Sequence, residues 1–204
     1  MLVKICGIKT AEAAQTAVHA GADFIGFVFA PSKREITPND AAAIAKTIPA
    51  STKKVGVFVN ESLENIKRIA THVRLDYIQL HGDESPEFAA MLNYPIIKAV
   101  PMRSETINEI KKFPCAFYLI DSPTGTNRGG NGTTFDWNLL TEANLDPGKV
   151  ILAGGLNPDN VQEAMAAARP AGVDVSSGVE TDGQKDLAKI KAFIRTAKRK
   201  DDLR

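Results

Sequence analysis

Cys6 closes a short apolar run, Leu2-Val3-Lys4-Ile5-Cys6, and Gly7 follows it. Alternate residues of an extended segment share a face, so Lys4 and Cys6 point the same way. At the ordinary thiol pKa only about 3% of a cysteine is thiolate at pH 7, and a nearby cation increases that fraction. Asp121 follows a second apolar run, Phe117-Tyr118-Leu119-Ile120. A carboxyl at such an edge is desolvated, its pKa rises, and it suits a general acid. Arg34, in Ser32-Lys33-Arg34, offers a planar fork for a carboxylate or a phosphate. Gln79 and His81 share one strand face. Two stretches of small residues, Gly154-Gly155 and Ser176-Ser177-Gly178, let backbone N–H groups approach phosphate oxygens. Gly154, Gly155, Ser177 and Gly178 are therefore the candidate phosphate-binding residues.

These residues need a scaffold that brings them together. Strand-sized apolar runs alternate with helical patterns along the whole chain. Strands are expected at Leu2–Cys6, Phe24–Phe29, Lys54–Val59, Tyr77–Leu80, Ile96–Val100, Ala116–Ile120, Val150–Ala153 and Val173–Ser176. Between them, helices are expected from Thr10 to Gly21, after Thr37-Pro38, and over Ser62–Val73, Ser85–Leu92, Ser104–Lys112 and Pro158–Ala168. A short helix is expected near Trp137, with Asp136 as its cap, and a last helix over Lys185–Lys198. Ser, Thr and Pro at the starts and Gly at a stop support these boundaries.

Apolar strands joined by helices pair in parallel, with both faces of the sheet covered. An open doubly wound sheet usually carries a dinucleotide fingerprint after its first strand, and Cys6-Gly7-Ile8-Lys9-Thr10 lacks it. Eight β/α units in one stretch fit a compact α/β (β/α)8 TIM barrel, a single domain over 1–204. Such a barrel holds its site at the C-terminal ends of its strands. The candidate residues gather at those ends, whereas the opposite ends begin with Ala22, Pro95 and Pro114. Closure makes the last strand a neighbour of the first. A buried ammonium requires a carboxylate, and Asp174 is then the partner for Lys4. The glycine-rich loop from Gly125 to Thr134 lacks the lysine of a P-loop and is expected to act as a lid after strand six.

Composition removes other classes. Twenty-five basic against 24 acidic side chains leave a formal net charge of +1, which argues against a nucleic-acid partner on a basic face. No apolar run is long enough for a membrane helix, and the N-terminus is not a signal peptide, so a cytoplasmic location is expected. Two cysteines give neither a disulfide framework nor a metal knuckle. Cys115 is expected to serve packing, and no metal cluster is apparent. A metal-dependent sugar-phosphate epimerase would need paired His and Asp ligands that the strand ends lack. Beginning at Met1, the chain is expected to be a stand-alone version with a solvated tail, and homodimer and monomer both remain open.

KICGI (Lys4–Ile8), GFVF…SKR (Gly26–Arg34), VGVFVN (Val55–Asn60), QLHG (Gln79–Gly82), GGNG…FDW (Gly129–Trp137), GGLNPDNV (Gly154–Val161) and DVSSGVE (Asp174–Glu180) together resemble the phosphoribosylanthranilate isomerase family. The resemblance spans essentially the whole chain. It implies a compact barrel of tryptophan biosynthesis with a small-molecule substrate and no cofactor. The implied reaction converts N-(5-phosphoribosyl)anthranilate to 1-(2-carboxyphenylamino)-1-deoxyribulose 5-phosphate by an Amadori rearrangement. The family's general base falls on Cys6 and its general acid on Asp121. Its anthranilate-carboxylate arginine falls on Arg34, and its phosphate loops on Gly154-Gly155 and Ser177-Gly178. His81 and Asp174 join Arg34 as expected substrate-binding residues. The chain departs from the family pattern at Asn131, where Ser or Thr is commoner, and at Glu35, where an aromatic is common. Two alternatives stand beside this reading. One is a related barrel isomerase serving both the tryptophan and the histidine pathways, in which a carboxylate typically replaces the cysteine. The other is a non-catalytic phosphate-binding barrel.

Overall fold

The apolar runs pair as expected, in parallel, each with its neighbour in sequence. In a computed structural model, which describes residues 1–101, 113–121 and 145–199, they form a closed barrel. The strands are β1 (Leu2–Cys6), β2 (Phe24–Val28), β3 (Lys53–Phe58), β4 (Tyr77–Leu80), β5 (Ile96–Pro101), β6 (Phe117–Asp121), β7 (Val150–Ala153) and β8 (Gly172–Val175). Closure comes from β8 pairing with β1, in a register that sets Lys4 opposite Asp174.

The first four helices begin where the sequence offers an oxygen to an unpaired N–H. Thr10 caps α1 (Ala11–Ala20), Thr37 caps α2 (Pro38–Ala45), Ser62 caps α3 (Leu63–Val73) and Ser85 caps α4 (Pro86–Ala90). Gly21 closes α1 in the left-handed region at φ 98°. The later helices are α5 (Val161–Ala168) and α6 (Leu187–Lys198).

Several strand ends shift by one residue, and three helix boundaries differ from the sequence expectation by two residues or more. First, α4 is shorter than expected, ending before Asn93, which turns the chain at φ 56°. Second, α5 starts three residues past Pro158. There Asn157 Oδ1 accepts from the N–H groups of Asp159 and Asn160, and these side-chain bonds hold a turn instead of a helix. Third, α6 starts at Leu187. Lys185 belongs to a two-stranded hairpin of β9 (Glu180–Thr181) and β10 (Gln184–Lys185), and Asp186 then caps α6 by accepting from Ala188 and Lys189. The expected helices over 104–112 and near Trp137, the lid over 125–134 and most of the solvated tail lie outside the described residues.

Two apolar layers hold these elements. Between strands and helices sit side chains such as Ile5, Phe27, Ile66, Ile78, Val173 and Phe193, all fully buried. Each such burial contributes roughly 1.5–3 kcal/mol. Inside the barrel, Phe24, Tyr77 and Phe117 come from the starts of alternate strands and meet edge-on or tilted, with ring centroids 5.5–6.2 Å apart. They fill the bottom of the barrel. Val55, Ile97, Leu119 and Ile151 fill it above them, as the layered interior of a (β/α)8 barrel requires. Period-two alternation then sends Cys6, Gln79, Asp121 and Asp174 inward at the upper end. Among the described residues no helix is long and apolar enough to cross a membrane.

Candidate active site

The upper end of the barrel opens into a cavity of 370 Å³. Its walls include Cys6 from β1, Gln79 from β4, Asp121 from β6, Asp174 from β8, and Arg34 and His81 from the loops after β2 and β4. Gly154, Gly155 and Ser177 complete it on the side of β7 and β8. The structure thus brings together eight of the nine site residues expected from sequence. Gly178 stands behind the wall. A side chain there would drive into the backbone carbonyl of Leu156 and also meet Asn157 Cα, so this position keeps the two loops in close contact.

At the floor, Lys4 is fully buried, and its Nζ lies 2.8 Å from Asp174 Oδ1. Burial by itself lowers the pKa of the ammonium. Asp174 and the Cys6 sulfur more than offset it, and the Lys4 pKa ends above its ordinary value. Burial likewise pushes the Cys6 thiol up, while Lys4 pulls it back incompletely. The expected gain in thiolate from the neighbouring cation is therefore real in sign but smaller than the cost of desolvation.

Across the cavity, burial raises the Asp121 carboxyl above the usual carboxylate range against the pull of His81. His81 is pushed down by burial, despite Asp121, and this favours the neutral imidazole. Its Nε2 is 3.8 Å from Asp121 Oδ2, too far for a hydrogen bond in this state. Its Nδ1 lies 3.3 Å from Gln79 Nε2. With Gln79 as donor, Nδ1 is the acceptor and the ring proton sits on Nε2, facing Asp121. Gln79 Oε1 is buried without a partner among the described residues. On the outward side of β5, Lys98 and Glu84 form a buried pair at 2.8 Å. Glu84 also accepts from the N–H groups of Asn60 and Gly82, tying the ends of β3, β4 and β5 together.

The loops after β7 and β8 show why their sequences look as they do. Gly154 and Gly155 both adopt left-handed backbone, at φ 83° and 64°, which favours glycine. Asn160 Nδ2 donates to the Gly155 carbonyl, and Asn160 Oδ1 accepts from Asn157 N–H. The loop is therefore locked by its own side chains. After β8, Ser176 Oγ donates to the Cys6 carbonyl, fastening the second loop to the end of β1.

Sequence reasoning missed Glu180 and Lys185. Glu180 Oε1 and Oε2 accept from Arg34 Nε and Nη2 at 2.7 and 2.9 Å, and Lys185 Nζ donates to Oε1 at 2.7 Å and to the Ser176 carbonyl at 2.9 Å. Burial works against the Glu180 carboxylate, but the two cations hold its pKa at about 2. No local pattern announces this pairing across 146 positions. The clue available was topological: closure sets β8 beside β1, so Arg34, in the loop after β2, has only the end of β1 to cross to reach the segment after β8.

A closed parallel barrel whose strand ends present a thiol, a raised carboxyl, an arginine and two small-residue loops defines a (β/α)8-barrel enzyme site of the acid–base class. Comparison with known proteins narrows that class. The family model for N-(5'-phosphoribosyl)anthranilate (PRA) isomerase matches residues 3–196, and the chain belongs to that family. N-(5'-phosphoribosyl)anthranilate isomerase of Oceanobacillus iheyensis is 53% identical, with 100% of both chains covered. The enzyme of that name from Listeria monocytogenes is 49% identical over 97% of this chain and 98% of its own. Among solved structures, phosphoribosyl anthranilate isomerase of Thermotoga maritima superposes with a TM-score of 0.84 at 43% identity, covering 97% of this chain and 99% of its own. Another, solved with reduced 1-(o-carboxyphenylamino)-1-deoxyribulose 5-phosphate, gives 0.83 at 40% identity over 97% and 98% of the two chains.

Proposed function

We propose that the chain isomerises N-(5-phosphoribosyl)anthranilate to 1-(2-carboxyphenylamino)-1-deoxyribulose 5-phosphate, the Amadori step of tryptophan biosynthesis. The observation that carries this reading is the shared cavity. Cys6 and Asp121 line it from strands three places apart around the barrel, between the small-residue loops and Arg34. In this reading Gly154, Gly155 and Ser177 grip the phosphate, Gly178 keeps their loops together, and Arg34 grips the anthranilate carboxylate. Holding both ends orients the ribose between them, which turns a proton exchange with solvent into one with fixed groups.

Asp121, protonated, donates to the furanose ring oxygen as the C1′–O bond breaks, and the anilino nitrogen supplies the electron pair that forms a Schiff base. Cys6, as thiolate, removes the C2′ proton. The electrons left behind neutralise the iminium as an enolamine, which tautomerises to the ketone product. His81 carries its proton on Nε2 facing Asp121, ready to donate to the carboxylate that results, and Asp174 keeps Lys4 charged beneath the thiol. No cofactor enters these steps, and a cytoplasmic location goes with them.

The test is loss of substrate fluorescence on mixing with purified protein. Cys6→Ser and Asp121→Asn should each lower turnover by about 10²–10⁴ while binding of the reduced product analogue persists. Near-normal turnover in Cys6→Ser would reject the base assignment. A wild-type chain that leaves the substrate unchanged would reject the function.

A further inference from the structure

The family resemblance gives Arg34 a task but no means of holding still. Arg34 lies in an exposed turn, where Ser32 accepts from the backbone N–H groups of Arg34 and Glu35, and its side chain is long. A guanidinium has five N–H bonds in a fixed plane, and its two edges can each hold one carboxylate. Glu180 takes the Nε/Nη2 edge in a two-pronged contact. The side chain of Glu180 is only 6% exposed, and Lys185, itself 7% exposed, donates to the same Oε1 that Arg34 Nε holds. Lys33, an exposed side chain, stands 3.8 Å away. Gly7 lets Arg34 cross the end of β1, since a Cβ there would come within 2.7 Å of Arg34 Cδ. The cluster of Arg34, Glu180 and Lys185 keeps one net positive charge, and Arg34 still lines the cavity.

We propose that Glu180 is the positioning residue for Arg34: by chelating one edge of the guanidinium, it presents the Nη1/Nη2 edge to the carboxylate at the aromatic end of the substrate. This inference rests on the proposed function, because it assumes a ligand with a carboxylate at that end. It makes Glu180 a determinant of which aromatic amines the barrel accepts. A ligand lacking the carboxylate gains nothing from an aimed fork. Lys185 contributes by fixing Glu180 to the end of β8 through the Ser176 carbonyl.

The experiment compares two ligands by titration calorimetry on the intact chain. Reduced 1-(o-carboxyphenylamino)-1-deoxyribulose 5-phosphate carries the carboxylate, and ribose 5-phosphate does not. Glu180→Gln should weaken the first by about tenfold and leave the second within about twofold, as Arg34→Ala should. The double variant should bind the first ligand no more weakly than Arg34→Ala alone, because the two residues act through one contact. Glu180→Asp, which keeps the charge but shortens the reach, should show the same ligand selectivity more weakly and serves if the Gln variant does not fold. Equal weakening of both ligands would overturn the inference, since Glu180 would then merely support the phosphate loop. Additive losses in the double variant would overturn it too. If the wild-type chain binds neither ligand, the functional reading fails and this inference with it. If it binds both and the Glu180 variants do not discriminate, only the inference fails.

Discussion

Cys6 and Asp121 are displaced in the same direction, upward, by the same cause, removal from water. The roles proposed for them need opposite ionisation: a thiolate beside a protonated carboxyl. With a carboxyl that still titrates below the thiol, this productive form is a minority at neutral pH. The ratio of productive to total enzyme is then constant between the two pKa values and falls outside them. The acid limb of the kcat/KM profile should therefore report Asp121 and the alkaline limb the Cys6 thiol, each above the ordinary value for its type. Lys4 offers the control. Its charge lowers the thiol pKa, so Lys4→Gln should move the alkaline limb to higher pH and lower the plateau. A pH–rate profile with an unmoved alkaline limb would remove Lys4 from the account.

At the scale of elements, the site depends on two loops that approach closely and on helices that begin at side-chain caps. Gly178→Ala forces a methyl group against the Leu156 carbonyl. It should cost about 1–3 kcal/mol, read in urea unfolding, and should weaken ribose 5-phosphate binding as the loops part. By contrast, Ser62 Oγ accepts from the Asn65 N–H at the start of α3. Ser62→Ala should cost about 1 kcal/mol and leave ligand binding alone, since α3 packs on the outside of the barrel. Phe193 on α6 is fully buried in the layer beneath the helices. Truncation to Ala should cost about 3–5 kcal/mol, more than either loop or cap change, because it opens a cavity in a packed interior.

For the molecule as a whole, buried ion pairs couple stability to pH. Glu180, held near a pKa of about 2, and Glu84, held below the usual carboxylate range by Lys98 and backbone N–H groups, both bind a proton more readily when unfolded. Each contributes stability that is complete above its unfolded pKa and is lost as pH falls through the folded one. Unfolding free energy should therefore drop as pH falls from about 5 toward about 2. In Glu180→Gln that drop should be smaller, as urea titrations across the range would read. Lys4 acts at the other extreme. Its raised pKa gives stability that is present at neutral pH and lost only as pH rises past the ordinary lysine value and through the folded one.

The eight strand runs, four side-chain caps, the inward parity of Lys4 and Cys6 and the glycines of the two loops were all legible in the sequence, because each expresses a local rule of period, capping or backbone freedom. Those rules also placed Asp121 and His81 at the same end of the barrel, and paired Lys4 with Asp174 once closure was assumed. Tertiary structure alone decided what depends on balance or on distance. Glu180 meets Arg34 because closure sets the last strand beside the first and Arg34 crosses the end of the first strand to reach the segment beyond the last, and nothing near either residue encodes that. The Cys6 thiol rises although a cation stands beside it, because the depth of burial outweighs a charge already shared with Asp174. Alternation along a strand tells which way a side chain points. How much water is left around it depends on every other strand of the barrel.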